Sequence, residues 1–179
     1  SENGITMETL NGDDPAQVGC GGASTGLLLL CDAWCKRGDT VVLYNNPRNP
    51  NGSSFEQRNT DSFDPLENRD ALIVYRSPNY RAISANNSLK VWMSCDQVID
   101  EPFHRLGANV VVCISPYHAE LFSSRFNVHG AIPIDFPISL DFENYEIEKI
   151  SNRLVLSSVP ARGANILFDI WPTIKEAIP

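Results

Sequence analysis

Residues Asn109-Val110-Val111-Val112-Cys113-Ile114 form a run that is apolar almost throughout. A strand with one wet face alternates apolar and polar positions, because successive side chains point to opposite faces. A run without that alternation suits a strand covered on both faces, the situation of parallel sheets packed between helices. Similar runs recur at Thr40–Tyr44, Asp70–Tyr75 and Leu89–Ser94, with a shorter one at Ala131–Ile134, separated by helical patterns or polar loops. Alternating strands and helices predict an α/β fold, an open parallel sheet with flanking helices and right-handed crossovers. Ligands of such sheets lie beyond the carboxyl ends of the strands, so functional residues are expected just after strands.

The helices carry their own punctuation. Ala23 to Arg37 has leucines and Trp34 on a broad apolar face, Lys36 and Arg37 in the last turn, where cations suit the helix dipole, and Gly38 as the stop. Ser115 and Pro116 predict the cap and first position of a helix running through Phe126. Tyr145 to Asn152 reads as a short connecting helix. Asn45 to Arg69 is polar and dense in turn residues, a long loop with room for one short element. A first strand is expected at Ile5 to Leu10, the alternative being a strand before Ser1. The closing stretch reads as a strand from Arg153 to Val159, a turn through Arg162 and Gly163, and a helix from Ala164. A βα unit cannot bury its strand alone. The expected organisation is therefore one domain over residues 1–150, with 151–179 opening a second that continues past Pro179.

The chain has 179 residues, enough for one full core, and 42% of them are hydrophobic. Its 22 acidic residues against 14 basic ones leave a net charge of −8, which argues against a nucleic-acid or anionic-membrane surface and points to a small-molecule partner. The longest apolar runs, Leu27–Cys31 and Val110–Ile114, fall far short of the ~20 residues of a membrane span. The amino end lacks a basic stretch followed by an apolar one. Cys20, Cys31, Cys35, Cys95 and Cys113 are odd in number and irregular in spacing, which suits buried thiols in a reducing cytoplasm better than a disulfide framework. Cys31 and Cys35 lack the two further ligands of a zinc site, so no metal is expected.

Several residues are candidates for chemistry. Gly21-Gly22-Ala23-Ser24-Thr25-Gly26 leads into a helix, where glycines admit close backbone approach and the helix amino end favours an anion; an ordinary loop is the competing reading. It lacks the Gly-Lys-Ser/Thr ending of a Walker loop and the spacing of a dinucleotide fingerprint. Asp96 follows the Leu89 strand, where a carboxylate can hold a sugar hydroxyl, act as a general base, or merely cap a helix. His118 falls in the first turn after Ser115 and is able to face the same crevice, while His104 and His129 read as surface residues. Ser24, His118 and Asp96 lack the nucleophile-elbow sequence of a hydrolase. Arg162-Gly163 sits at the closing turn into a helix, where cation and dipole act on one anion.

The order of these motifs resembles glycosyltransferases of family 4 type, with the GT-B fold. It comprises a glycine-rich turn into a long helix, a strand ending near Asp96, and a strand followed by Ile114-Ser115-Pro116-Tyr117-His118. A loop around Ile134-Asp135 comes next, then Ser157 to Gly163 with Trp171-Pro172 in the next helix. The resemblance covers most of the chain from Gly21 onward and implies a Rossmann-like, acceptor-side domain followed by the start of a nucleotide-sugar-binding domain. It implies transfer of a sugar from a nucleotide-sugar donor to a carbohydrate or glycolipid acceptor, with retention and without a further cofactor. Gly21 and Gly22 match the turn that approaches the donor phosphates. Arg162 and Gly163 match the pair that neutralises the departing diphosphate, with Ser157 or Ser158 in the same turn. Asp96 matches the aspartate of a His-Asp pair, with Cys95 in the histidine's place, and His118 adds a substrate contact. The acidic pair of the second domain has no counterpart here, so the chain by itself is expected to be inactive. A non-catalytic carbohydrate- or nucleotide-binding module is the alternative.

Overall fold

The computed structural model describes residues 21–45, 47, 53–76, 80–85, 89–97, 103–137, 148, 150–151, 153–155 and 163–178. The chain divides into two compact units, Ser1–Ser139 and Leu140–Pro179. The described elements of the first unit are helix α1 (Gly22–Arg37), strands β1 (Val42–Asn45), β2 (Glu56–Asn59) and β3 (Ala71–Tyr75), helix α2 (Tyr80–Ser84), strands β4 (Leu89–Ser94) and β5 (Val110–Cys113), helix α3 (Pro116–Phe126) and strand β6 (Ile132–Pro133). Single 3-10 turns lie at Thr60–Ser62 and Phe103–Leu106. Helix α4 (Ala164–Ala177) belongs to the second unit.

Every strand pairing described is parallel, as the unalternating runs require. The strands form two sheets among the described residues, β1-β2 and β3-β4-β5-β6. The larger sheet keeps sequence order, with Val91 level with Ile73 and Val110, and Val112 level with Ile132. This is an α/β, Rossmann-like arrangement of parallel strands with flanking helices. Trp92 and Cys113 from the strands and Phe122 from α3 anchor its core, joined by Val74, Leu106 and Val128. A second core gathers Leu27, Leu28 and Cys31 of α1 with Phe55, and Leu43 and Tyr75 pack against it.

The helix ends follow local rules. Gly38 stops α1 at φ 103°, a left-handed conformation that glycine takes without strain. Ser115 accepts a hydrogen bond from the His118 N–H at 3.1 Å, and Pro116 takes the first helical position of α3. The polar stretch 45–69 contains β2, whose buried Gln57 accepts a 2.8 Å hydrogen bond from the Asn45 side-chain amide.

The expected strand over the closing stretch is not formed at 153–155, where instead the Arg153 N–H reaches the Ile150 carbonyl in a turn. The remainder of that strand, Ser157 and Arg162, and the first strand expected at Ile5–Leu10 lie outside the described residues. So does most of the expected helix at 145–152; its described residues, Glu148, Ile150 and Ser151, are not helical. The helix after Gly163 is present and carries Pro172 inside it. Among the described residues, no helix is long and apolar enough to cross a membrane.

Candidate functional site

The carboxyl ends of β3, β4, β5 and β6 and the first half of α1 border a shallow groove of about 370 Å³, its open mouth included. Gly26 and Leu30 form the helix side. Tyr75, Met93, Cys95, Val112 and Ile114 come from the strand ends, and Ile134, Asp135 and Phe136 follow β6. The location obeys the rule for open α/β sheets. Parallel strands all end at the same edge of the sheet, and the segments leaving them converge over that edge.

One hydrogen bond ties the glycine turn to this edge. The Tyr75 hydroxyl donates to the Ala23 carbonyl at 2.6 Å, which fixes the first turn of α1 beside the end of β3. Thr25 N–H closes that turn on the Gly21 carbonyl at 2.9 Å. Gly21 is the cap and offers no side-chain hydrogen bond, and the first turn holds no acidic residue. Gly21 has an ordinary extended backbone (φ −65°, ψ 148°), and among the described residues a Cβ at Gly21 or Gly22 would meet nothing within 4 Å. Neither backbone nor packing demands glycine at these two positions. Gly26 differs: a Cβ there would stand 2.7 Å from Cζ of Phe136, so the close approach of that ring to α1 requires glycine.

Asp96, two residues past β4, is held by Arg76, the first residue past β3. Arg76 Nε donates to Oδ2 at 2.7 Å and Nη2 to Oδ1 at 2.9 Å, a two-point pairing that fixes the carboxylate plane. The Asp96 hydrogen bonds raise the Arg76 pKa further, more than partial burial lowers it. Arg76 adopts φ 65°, uncommon for a residue with a side chain. Its N–H bonds the Met93 carbonyl at 2.8 Å, and its carbonyl accepts from Nε1 of buried Trp92 at 2.6 Å. The sheet core therefore dictates where the guanidinium goes.

His118 is buried, with its ring edge-on to Phe122 at 4.5 Å. The Ile114 N–H points at Nδ1 at 3.4 Å, which leaves the proton on Nε2 to donate to the Asp96 carbonyl at 3.0 Å. His118 thus joins the start of α3 to the Asp96 segment, with both ring nitrogens engaged. Cys95 lies half-buried on the groove; burial raises its thiol pKa, and the hydrogen bond with Tyr75 lowers it by less. Burial likewise pushes the Tyr75 phenol up. Both are protonated at neutral pH, so Cys95 is not set up as a thiolate nucleophile.

The structure thus brings Gly21, Gly22, Cys95, Asp96 and His118 to one edge of the first unit. Gly163 caps α4 in the second unit at φ 104°. Among the described residues, no group of three or more His, Cys, Asp or Glu side chains is placed to hold a metal ion. Sequence reasoning passed over Arg76, Trp92 and Gly26's contact with Phe136. The signal for Arg76 was present: it directly follows a predicted strand. Comparisons with protein-family models, curated proteins and solved structures return no match for the chain.

Proposed function

We propose that the first unit is the acceptor-side domain of a glycosyltransferase of GT-B type, which transfers a sugar from a nucleotide-sugar donor to a carbohydrate or glycolipid acceptor. The observation that carries this reading is the convergence on one strand edge of an uncapped, glycine-led helix start and the ordered Arg76–Asp96–His118 cluster. The N–H groups of the first turn of α1 have no acceptor within the helix and are suited to donor phosphate oxygens. Among the described residues, nothing in conformation or packing requires glycine at positions 21 and 22, which fits a surface that a ligand approaches closely. Arg162 and Gly163, with Ser157 nearby in sequence, are assigned to the departing diphosphate. Charge stabilisation of that leaving group supplies the catalysis, and no enzyme nucleophile is needed.

Binding of a panel of nucleotide sugars by calorimetry, on a protein containing both GT-B domains, tests the assignment. Arg162→Ala should weaken donor binding by at least about tenfold, the scale of one lost charge-assisted hydrogen bond. Equal affinity in both proteins would remove Arg162 from the site.

A carbohydrate-recognising module without transfer is favoured by one observation. Arg76 occupies both carboxylate oxygens of Asp96, which suits a fixed hydrogen-bonding group better than a proton acceptor. Donor binding without sugar transfer to any acceptor in a mass-spectrometric screen would select that reading.

A further inference from the structure

Helix α3 leaves the carboxyl end of β5 and runs back to the start of the parallel strand β6, so its last turn lies at the amino edge of the sheet, opposite the groove. Asn127 ends the helix in the left-handed region at φ 56°, and Gly130 at φ 74° turns the chain towards β6. Between them Val128 is buried, and its N–H bonds the carbonyl of buried Phe122 at 3.2 Å, so the turn is anchored to the core. The reversal places His129 against the helix end. Its Nδ1 lies 2.9 Å from the Ser123 hydroxyl oxygen and its Nε2 2.8 Å from the Asn127 amide oxygen. That amide oxygen can only accept, so the ring proton sits on Nε2 and Nδ1 accepts the Ser123 O–H. Ser124 differs, because its hydroxyl donates to the Leu121 carbonyl at 3.2 Å. A hydroxyl on an imidazole whose far nitrogen is held by a third group is the arrangement that activates a serine nucleophile. The carboxyl end of α3 favours the imidazolium that forms when the ring takes the proton.

We propose that Ser123, His129 and Asn127 form an acyl-transfer site, with Ser123 as nucleophile, His129 as base and Asn127 fixing the ring. His129 and Asn127 are exposed, so the site is open to small activated carboxylic esters. It stands apart from the groove and does not rest on the transferase reading. Ser123 Oγ bonds to the ester carbonyl carbon as its proton passes to His129 Nδ1. The bond from that carbon to the alcohol oxygen then breaks, and its electron pair stays on the oxygen, which takes the proton from Nδ1. Water repeats the sequence on the acyl serine: its oxygen bonds to the carbonyl carbon, the bond to Oγ breaks, and the proton returns through Nδ1 to Oγ.

p-Nitrophenyl acetate is the probe, with the acetylated positions of the chain mapped by peptide mass spectrometry and p-nitrophenol release followed in parallel. In the wild-type chain Ser123 should be acetylated about a hundredfold faster than Ser124, the low end of what a positioned base contributes. Unfolding the chain in urea should abolish that preference. His129→Gln should slow acetylation of Ser123 by about a hundredfold. Asn127→Gly, which keeps the left-handed backbone without strain, should slow it about tenfold for loss of one hydrogen bond to the ring. Ser124→Ala should leave it unchanged, and Ser123→Ala should release less p-nitrophenol than the wild type. Absence of acetyl on Ser123, equal acetylation of Ser123 and Ser124 in the folded wild-type chain, or equal acetylation of Ser123 in the wild type and either ring variant, overturns the proposal.

Discussion

Arg76 shows how a single residue can be costly where it stands and still be held there. Its φ of 65° lies where a Cβ crowds the backbone, a cost of roughly 1–2 kcal/mol that glycine avoids. Bonds to the Met93 carbonyl and from Trp92 keep it in place. Removing the guanidinium by Arg76→Ala loses the pair with Asp96 and retains the strain, whereas Arg76→Gly loses the pair and relieves it. Urea unfolding should therefore find Arg76→Gly the more stable variant by about 1 kcal/mol; equal stabilities would mean that no strain is stored. The glycines make a second contrast. Gly26→Ala should destabilise by about 1–3 kcal/mol through overpacking against Phe136, and Phe136→Ala in the same chain should cancel most of that cost. Gly21→Ala and Gly22→Ala, with open space around them, should cost no stability. The sequence shows a glycine-rich helix start but cannot tell these roles apart, because the partner of Gly26 comes from the far end of the first unit.

Elements were legible wherever apolar patterning or capping chemistry marked them. β3, β4 and β5 fall on the predicted runs, and α3 begins at the Ser115-Pro116 signal. Ser115→Ala should cost about 1 kcal/mol in denaturant unfolding, the usual worth of such a cap; no change would mean that the 3.1 Å bond to the His118 N–H carries nothing. β2 was legible only as room for one short element, because Glu56-Gln57-Arg58-Asn59 has no apolar face; pairing with β1 and the buried Asn45–Gln57 contact define it. The reverse error occurs at 153–155, where an apolar run predicted a strand and no strand pairing is found. Periodicity reports the tendency of a segment, and a strand also needs a neighbouring edge. The cores add a pH dependence. Burial pushes the Cys31 thiol from 9.0 up to about 12 and that of Cys113 to about 11. Above pH 9 the unfolded chain loses these protons while the folded chain keeps them, so stability is full below about pH 9 and falls as pH rises towards 11–12. Unfolding free energy measured across that window should decline in the wild type and decline less steeply in Cys31→Ala, even though that variant is less stable throughout.

At the scale of the whole chain, the inference from unalternating apolar runs to parallel strands, and from parallel strands to a ligand edge, accounts for where the groove lies. The chemistry at that edge was only half legible. Gly21, Gly22, Cys95, Asp96 and His118 do gather there, but the pairings that engage Asp96 and His118 join separate segments and are not legible from local pattern, even though Arg76 itself stands at a strand end. Arg76 reaches Asp96 across neighbouring strands, and His118 reaches the Asp96 carbonyl from the start of α3. Among the described residues, the carboxylate that lines the groove is Asp135, visible in sequence only as part of a loop after a short strand. The net charge of −8 makes binding of any anionic donor depend on local N–H groups and on few cations, so affinity of the chain for a nucleotide sugar should be weak.

The most direct measurement is an amide map of the 15N-labelled chain titrated with UDP-glucose and, separately, GDP-mannose. The account predicts that at least one of them shifts the backbone amides of Gly21, Gly22 and Ala23, together with those of Cys95 and Asp96, at about millimolar concentration. It also predicts that the same ligand shifts the first-turn amides less in Gly22→Ala, whose fold is unchanged. Shifts confined to other parts of the chain, or a Gly22→Ala map indistinguishable from the wild type, would contradict a nucleotide-sugar site at the carboxyl edge of the sheet.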